Sequence, residues 1–411
     1  MPERPTSDAA ATLRATATIR ERCANITRAV QAGDSAHWRL DRSRLDEVGR
    51  RVEAITRARH GEGPIPYHSR WRHFEAGGVD RKARLDAKLR GRATASQARA
   101  RIDLTVVSVL LDAGAGAAWS YVEAPQSASY ARSEGLGVAS FQAFIDGRFS
   151  SDPGDPLRVD AAALKRINAS ALTDVFQVSD ANPLVGLEGR AALLRRLGEA
   201  LQARPEVFGG DGRPGGLFDS LTHHGQSRRL AAPRLLRALL DHWSAIWPAG
   251  NQLHGVALGD CWPHRHAGGD GPSAGWVPFH KLSQWLCYSL LEPFEWAGIQ
   301  VSEADGLTGL PEYRNGGLLL DAEVIAAHDA SALTRQHRAG DEAIVEWRAL
   351  TVTLLDELAT LLRRRLGRNE QELPLACVLE GGTWAAGREI ARQLRADGSP
   401  PLNIVSDGTV F

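Results

Sequence analysis

Apolar residues recur at helical spacing through most of this chain. Leu13, Ile19, Ile26 and Val30 share one face of a helix over residues 9–32, and Gly33 ends it. The same spacing predicts helices over residues 45–58, 132–150, 157–172, 189–203 and 229–247. The longest uninterrupted pattern covers residues 341–366, with arginines in the last turns where the helix dipole favours them, and a further helix covers 379–395. Residues 104–111, LTVVSVLL, form a continuous apolar run that fits a buried strand or a buried helical turn equally well. The pattern as a whole predicts a mainly α fold with few short strands.

Three stretches depart from amphipathic helix. In GPIPYHSRWRHFEAGG, residues 63–78, Pro64 and Pro66 break helix while His68, Arg70, Trp71, Arg72, His73 and Phe74 crowd together. Such a loop suits ligand contact, or an Arg/aromatic stack between lobes. FGGDGRPGGLFD, residues 208–219, reads as the boundary between an N-terminal helical lobe, 1–207, and a C-terminal one, 220–411, with an active site between them.

The third stretch, residues 276–321, gathers the most chemistry. Pro278 is expected to open a helix that runs to Glu292, where Pro293 stops it, which puts His280 and Lys281 in the first turn with Gln284 on the same face. A cation at the positive end of a helix is favourable when an anion binds there too. Only four lysines occur in the chain, so an amine here is a selective choice. LTGLPEYRNGG then reads as a structured turn, with Asn315, Gly316 and Gly317 tolerating left-handed backbone. It displays Glu312 and Arg314 from constrained main chain, either as a preorganised carboxylate or as a Glu–Arg pair that pins the turn.

Composition narrows the function. At 411 residues, 43% hydrophobic and 24% charged, the chain is ordinary for a globular protein. Lys+Arg and Asp+Glu are both 49, which gives no electrostatic grip on nucleic acid or anionic lipid. No apolar run has membrane-spanning length, and the first residues lack the apolar core of a signal peptide. Cys23, Cys261, Cys287 and Cys377 are scattered, as reduced thiols in a cytoplasm would be. The expectation is a cytoplasmic protein acting on a small molecule, its oligomeric state left open. Asp260, Cys261, His264 and His266 match no closed zinc spacing, so no metal is expected. No cofactor is expected either, since neither a phosphate-loop nor an H-E-x-x-H signature occurs.

Long motifs along nearly the whole chain, IPYHSRWRHFEAGG, SVLLDAGAGAAWSY, RSEGLGVAS, NPLVGLEGR, PFHKLSQWL, LTGLPEYRNGGLLLD, LEGGTWAAGR and the terminal SDGTVF, resemble the uracil-catabolism protein four family. That resemblance implies a pathway that opens the uracil ring after attachment to ribose and releases urea by way of a ribosylurea-type intermediate. A more distant resemblance is to the queuosine salvage proteins, N-glycosidases with a helical fold related to DNA glycosylases. Lys281-Leu282-Ser283-Gln284-Trp285-Leu286 is similar to their K-R-A-Q-I-L helix, Glu312-Tyr313-Arg314 to D-Y-R, and Glu346-Trp347-Arg348-Ala349 to E-I-R-A. The chain departs from that pattern with Glu for Asp at 312, Ser289 where an Asp is expected, and Asn-Gly-Gly for V-P-Q.

Taken together, the resemblances imply hydrolysis of an N-ribosyl bond, of ribosylurea or its phosphate, through an oxocarbenium-like transition state. Glu312 would face the anomeric carbon, and Asp321, Glu380 or His73 would protonate the leaving nitrogen. Lys281, Gln284, His280, Tyr313, Arg314, Asn315, Arg70, His73 and Trp384 would contact the substrate. The alternatives are a metal-dependent amidohydrolase acting on the ureido carbonyl and a non-catalytic binder of a pathway intermediate.

Overall fold

The computed structural model describes residues 4–405 apart from 113, 117, 126 and 249, with side chains from residue 9 onward. The terminal SDGTVF motif lies outside the described residues. The protein is mainly helical. Its helices include α1 (Thr16–Ala32), α2 (Leu45–His60), α3 (Thr94–Leu110), α4 (Arg132–Ile145), α5 (Leu187–Gln202), α6 (Ala232–Trp243), α7 (Lys281–Trp296), α8 (Tyr313–Asp321), α9 (Glu342–Leu366) and α10 (Trp384–Leu394). Strands are two to four residues long and pair only in twos, among them Trp38–Leu40 against Ile325–Ala327 and Cys261–Pro263 against Trp276–Pro278. No helix among the described residues is long and apolar enough to cross a membrane.

The chain divides into two compact units that are discontinuous in sequence. The first comprises Met1–His68, Ala249–Gln284 and Glu303–Val405; the second comprises Ser69–Pro248 and Trp285–Ser302. The loop at 208–219, where sequence placed a boundary, lies within the second unit. In the first unit α1 packs along α9, and Ile19, Cys23, Ile26, Ala267, Val277, Phe279, Val345, Ala349 and Val352 form one buried apolar cluster. In the second, α3 and α4 pack together, and buried Asp103 accepts hydrogen bonds from Arg213 and from the Gly215 and Val159 main chain.

The structure decides one reading that the sequence left open and corrects several others. The 104–111 run is the end of helix α3, whose residues from Ala100 to Leu110 are all buried. Burial on every side leaves no polar face, so periodicity had nothing to report. The predicted helix over 9–32 is two, Arg4–Leu13 and α1, because Ala15 is extended; Gly33 does cap α1 in a left-handed conformation, φ +89°. Pro278 ends a strand instead of opening α7, and His280 precedes the helix at φ +51°. Helix α7 then runs through Pro293 to Trp296. Proline cannot donate to the carbonyl four residues back. Here that carbonyl, of Ser289, takes the Trp71 Nε1–H at 3.1 Å.

The Asn315-Gly316-Gly317 turn is corrected too: these residues lie inside helix α8, and neither glycine has positive φ. They serve close approach. A Cβ on Gly316 would overlap the Trp347 ring, whose Nε1–H donates to the Gly316 carbonyl at 3.2 Å.

Candidate functional site

The first unit brings the sequence motifs together through a chain of buried hydrogen bonds. Asp260 lies at its start. Its carboxylate takes both Nη groups of Arg348 on α9, at 2.7 and 2.6 Å, and also the Lys281 backbone N–H at 3.0 Å. Its main-chain carbonyl accepts the Phe279 and His280 N–H groups. Burial raises the Asp260 pKa, but the Arg348 charge and these hydrogen bonds outweigh it and hold the group well below the ordinary carboxylate range. The anion expected at the start of α7 is thus supplied by the chain itself, and Arg348 keeps it ionised.

His280 is 2% exposed, and its Nε2–H donates to the Leu13 carbonyl at 2.9 Å, at the break between the first two helices. Burial pushes its pKa down, which favours the neutral ring. One turn into α7, Gln284 is fully buried and exchanges hydrogen bonds with Thr308, Nε2 to Oγ1 at 2.8 Å and Thr308 N–H to Oε1 at 3.4 Å. This pair ties the K-L-S-Q helix start to the segment that carries Glu312.

Glu312 caps α8. Its two carboxylate oxygens accept the backbone N–H groups of Arg314, at 2.8 Å, and Asn315, at 2.7 Å. The Glu–Arg pair allowed by the sequence therefore joins carboxylate to main chain, while the Arg314 guanidinium reaches the Gly398 carbonyl at 3.0 Å. A carboxylate at a helix start also draws on the dipole. It offers about four lone-pair positions, so two remain beyond those used by the cap. Tyr313 and Arg314 are half-buried beside it.

Asn315 is fully buried and links this turn to the LEGGTWAAGR motif: its Oδ1 accepts the Thr383 hydroxyl at 2.8 Å, and its Nδ2 donates to Leu310 O at 3.2 Å. Leu379–Thr383 form a π-helical turn between the short helix Leu375–Val378 and α10. The Gly pair of the motif lets α2 come close, since a Cβ on Gly382 would stand 2.7 Å from Val52 O. Glu380, on the π turn, accepts His68 Nδ1–H at 2.9 Å and an Arg59 Nη2–H at 3.1 Å. Trp384 follows one turn later, with its ring 6.2 Å from His68 and under the Arg388 guanidinium.

Asp321 stands apart from this network. At the far end of α8 it is held by both Nη groups of Arg395, at 2.9 and 2.6 Å. It lines a cleft of about 1000 Å³ with Arg44, Arg51 and Arg395, which no other predicted site residue lines.

Arg70 and His73 belong to the second unit. Arg70 is fully buried, bonded to Ser108 Oγ at 2.6 Å and Ser133 O at 3.1 Å and paired with Asp112 at 3.0 Å. Burial lowers its pKa, and the Asp112 charge opposes that. Ser289, at the position where the distant resemblance expects an Asp, accepts the Arg70 N–H at 2.9 Å. His73 stacks edge-on against Trp285 at 5.9 Å.

Sequence reasoning passed over Asp260 as anything but a metal candidate, passed over Thr308 and Thr383 altogether, and named His68 only as part of a loop suited to ligand contact. Among the described residues the donors that could hold a metal are His264, Glu342 and Glu346. His264 Nε2 lies 3.3 Å from Glu346 Oε1 and 3.9 Å from Glu342 Oε1. His264 Nδ1, however, accepts the His266 N–H at 3.2 Å, which leaves the proton of the neutral ring on Nε2, facing the carboxylates. A metal would need that nitrogen bare. The group is better described as an imidazole–carboxylate contact, with His264 Nε2 facing Glu346 Oε1 at 3.3 Å. Burial raises the Glu346 pKa, but the nearby His264 ring and the hydrogen bond from Ser35 outweigh it and the net shift is downward.

Residues 12–411 match the family described as "Protein of unknown function (DUF1688)". "Uracil catabolism protein 4" of Lachancea kluyveri is 39% identical over 411 residues, covering 92% of this chain and 93% of that protein. "Protein urg3" of Schizosaccharomyces pombe is 39% identical over 401 residues, 96% of each chain. Matched across nearly its whole length, the chain belongs to the DUF1688 family.

Proposed function

We propose that this protein acts in uracil catabolism and hydrolyses an N-ribosyl bond, converting ribosylurea or its phosphate to urea and the free sugar. The pathway is suggested by the printed name of the Lachancea relative. The observation that carries the reaction is the tying of the K-L-S-Q and E-Y-R segments into one compact unit by the Gln284–Thr308 bonds, with the Glu312 carboxylate fixed by two N–H groups of its own helix. A carboxylate immobilised before substrate arrives needs no reorganisation as positive charge develops on the anomeric carbon. Lys281, placed at a helix start whose main chain is held by Asp260, would take a sugar phosphate, and Arg314, Tyr313 and Trp384 would complete the contacts.

The test is incubation of the purified protein with ribosylurea and with its 5-phosphate. Urea and reducing sugar are expected to appear together, in equal amounts. Glu312→Gln is expected to abolish both, at a stability cost of about 1 kcal/mol, the typical loss when a helix cap is weakened. Release of ammonia and carbon dioxide with the sugar still bound to nitrogen would overturn the reading in favour of amide hydrolysis.

A further inference from the structure

The segment IPYHSRWRHF, which the sequence marks only as a loop suited to ligand contact, supplies a residue with a more definite role. His68 closes the first stretch of the first unit, and its backbone N–H is fixed by Ala376 O at 3.0 Å. A carboxylate oxygen can only accept, so the 2.9 Å contact with Glu380 Oε2 assigns the ring proton to Nδ1. Nε2 has no hydrogen-bond partner among the described residues and is the nitrogen left to exchange a proton. Glu380 is itself held twice by Arg59, Nη1 to its main-chain carbonyl at 2.6 Å and Nη2 to Oε1 at 3.1 Å. The π turn that carries it is an uncommon form often met at functional sites. Thr383 of the same turn binds Asn315, three residues from Glu312.

A carboxylate–imidazole pair with the outer nitrogen open, on the element bonded to the Glu312 helix, has the form of a positioned proton donor. We propose that His68 protonates the departing nitrogen and that Glu380 is its positioning residue, an inference that rests on the N-ribosyl reading above. His68 acts as the imidazolium, with one proton on Nδ1 toward Glu380 and the other on Nε2; as the C1–N bond breaks, its electron pair goes to the ureido nitrogen, which takes the Nε2 proton and leaves as neutral urea, and the ring is left neutral with its proton on Nδ1. Water adds at C1 and gives its proton to the Glu312 carboxylate. Solvent returns His68 and Glu312 to their starting states, so the sum is ribosylurea plus water giving urea plus ribose. Glu380 holds the ring in the tautomer and orientation that this needs, and Arg59 keeps Glu380 in place.

A leaving group that departs without a proton separates this role from a structural one. His68→Asn is expected to lower kcat on ribosylurea by about 10²–10⁴-fold with little change in KM. On 4-nitrophenyl riboside, whose phenolate needs no acid, the same variant should run within a few-fold of wild type. Glu380→Gln is expected to show the same split with a smaller loss, and it serves as the second variant should His68→Asn fold poorly. Equal losses on both substrates, or no loss on ribosylurea, would overturn the proposal while the glycosidase reading stands. Absence of urea release by the wild-type protein would overturn both.

Discussion

Asp260 shows how much one buried carboxylate can organise. It neutralises Arg348, which is fully buried, and it holds the first N–H of α7. Asp260→Asn would keep the shape and leave Arg348 as an uncompensated buried cation, so a loss of about 3–5 kcal/mol is expected. Urea unfolding should show it as a lower midpoint at unchanged slope. The folded-state pKa of Asp260 is depressed below 3.8, so its contribution is fully present above that value and is lost as pH falls through the native one. The gap in stability between wild type and Asp260→Asn should therefore be constant near neutrality and narrow below about pH 3.8. None of this is visible from local sequence, because Arg348 lies 88 positions away and the motif letters E-W-R-A do not say what the arginine faces.

At the scale of the element, legibility followed solvent exposure. Helices α2, α5 and α9 keep a polar face, and periodicity located each of them to within a few residues. Helix α3 is buried all round over its second half and so looked like strand or helix alike. Proline misled for a different reason: its rule concerns an unmade hydrogen bond, and a distant side chain can make that bond instead. Trp71 Nε1 does this for Ser289 O on α7, which is why the helix passes Pro293. Trp71→Phe should then cost about 1–3 kcal/mol for the orphaned carbonyl, on top of any change in packing. Pro293→Ala restores a main-chain donor, so the same Trp71→Phe change made in that background should cost less. A double-mutant cycle on thermal or denaturant stability reads the difference, and additivity within a few tenths of a kcal/mol would refute the compensation. The N-G-G stretch was misread in the same spirit: composition announced a need for glycine, while the need was room for the Trp347 ring.

For the whole molecule, the sequence suggested two lobes split once, whereas the segments of the two compact units alternate along the chain. The first unit is closed by its earliest residues: Ile19, Cys23 and Ile26 of α1 fill the same cluster as Val277 and Phe279 before α7 and Val345, Ala349 and Val352 of α9. Residues 65–68 bring His68 to Glu380, and Arg20 of α1 bonds the carbonyls of Asp305, Gly306 and Leu307 that lead into the Glu312 turn. A fragment cut at the glycine-rich loop, residues 220–411, would keep Lys281, Gln284, Glu312 and Glu380 and yet lack α1, α2 and His68. It would expose the apolar faces of α9 and the Cys261–Pro278 hairpin, and Arg20's three carbonyl acceptors would have to find water. The expected outcome is that this fragment fails to unfold cooperatively and exchanges its amide hydrogens throughout α9 within minutes, measured by calorimetry and hydrogen exchange. Adding residues 1–68 as a separate chain should restore protection in α9 before it restores any activity, because packing of α1 on α9 needs only the first unit. A fragment 220–411 that melts cooperatively alone, with α9 protected as in the full chain, would mean that the N-terminal segment decorates this unit instead of completing it.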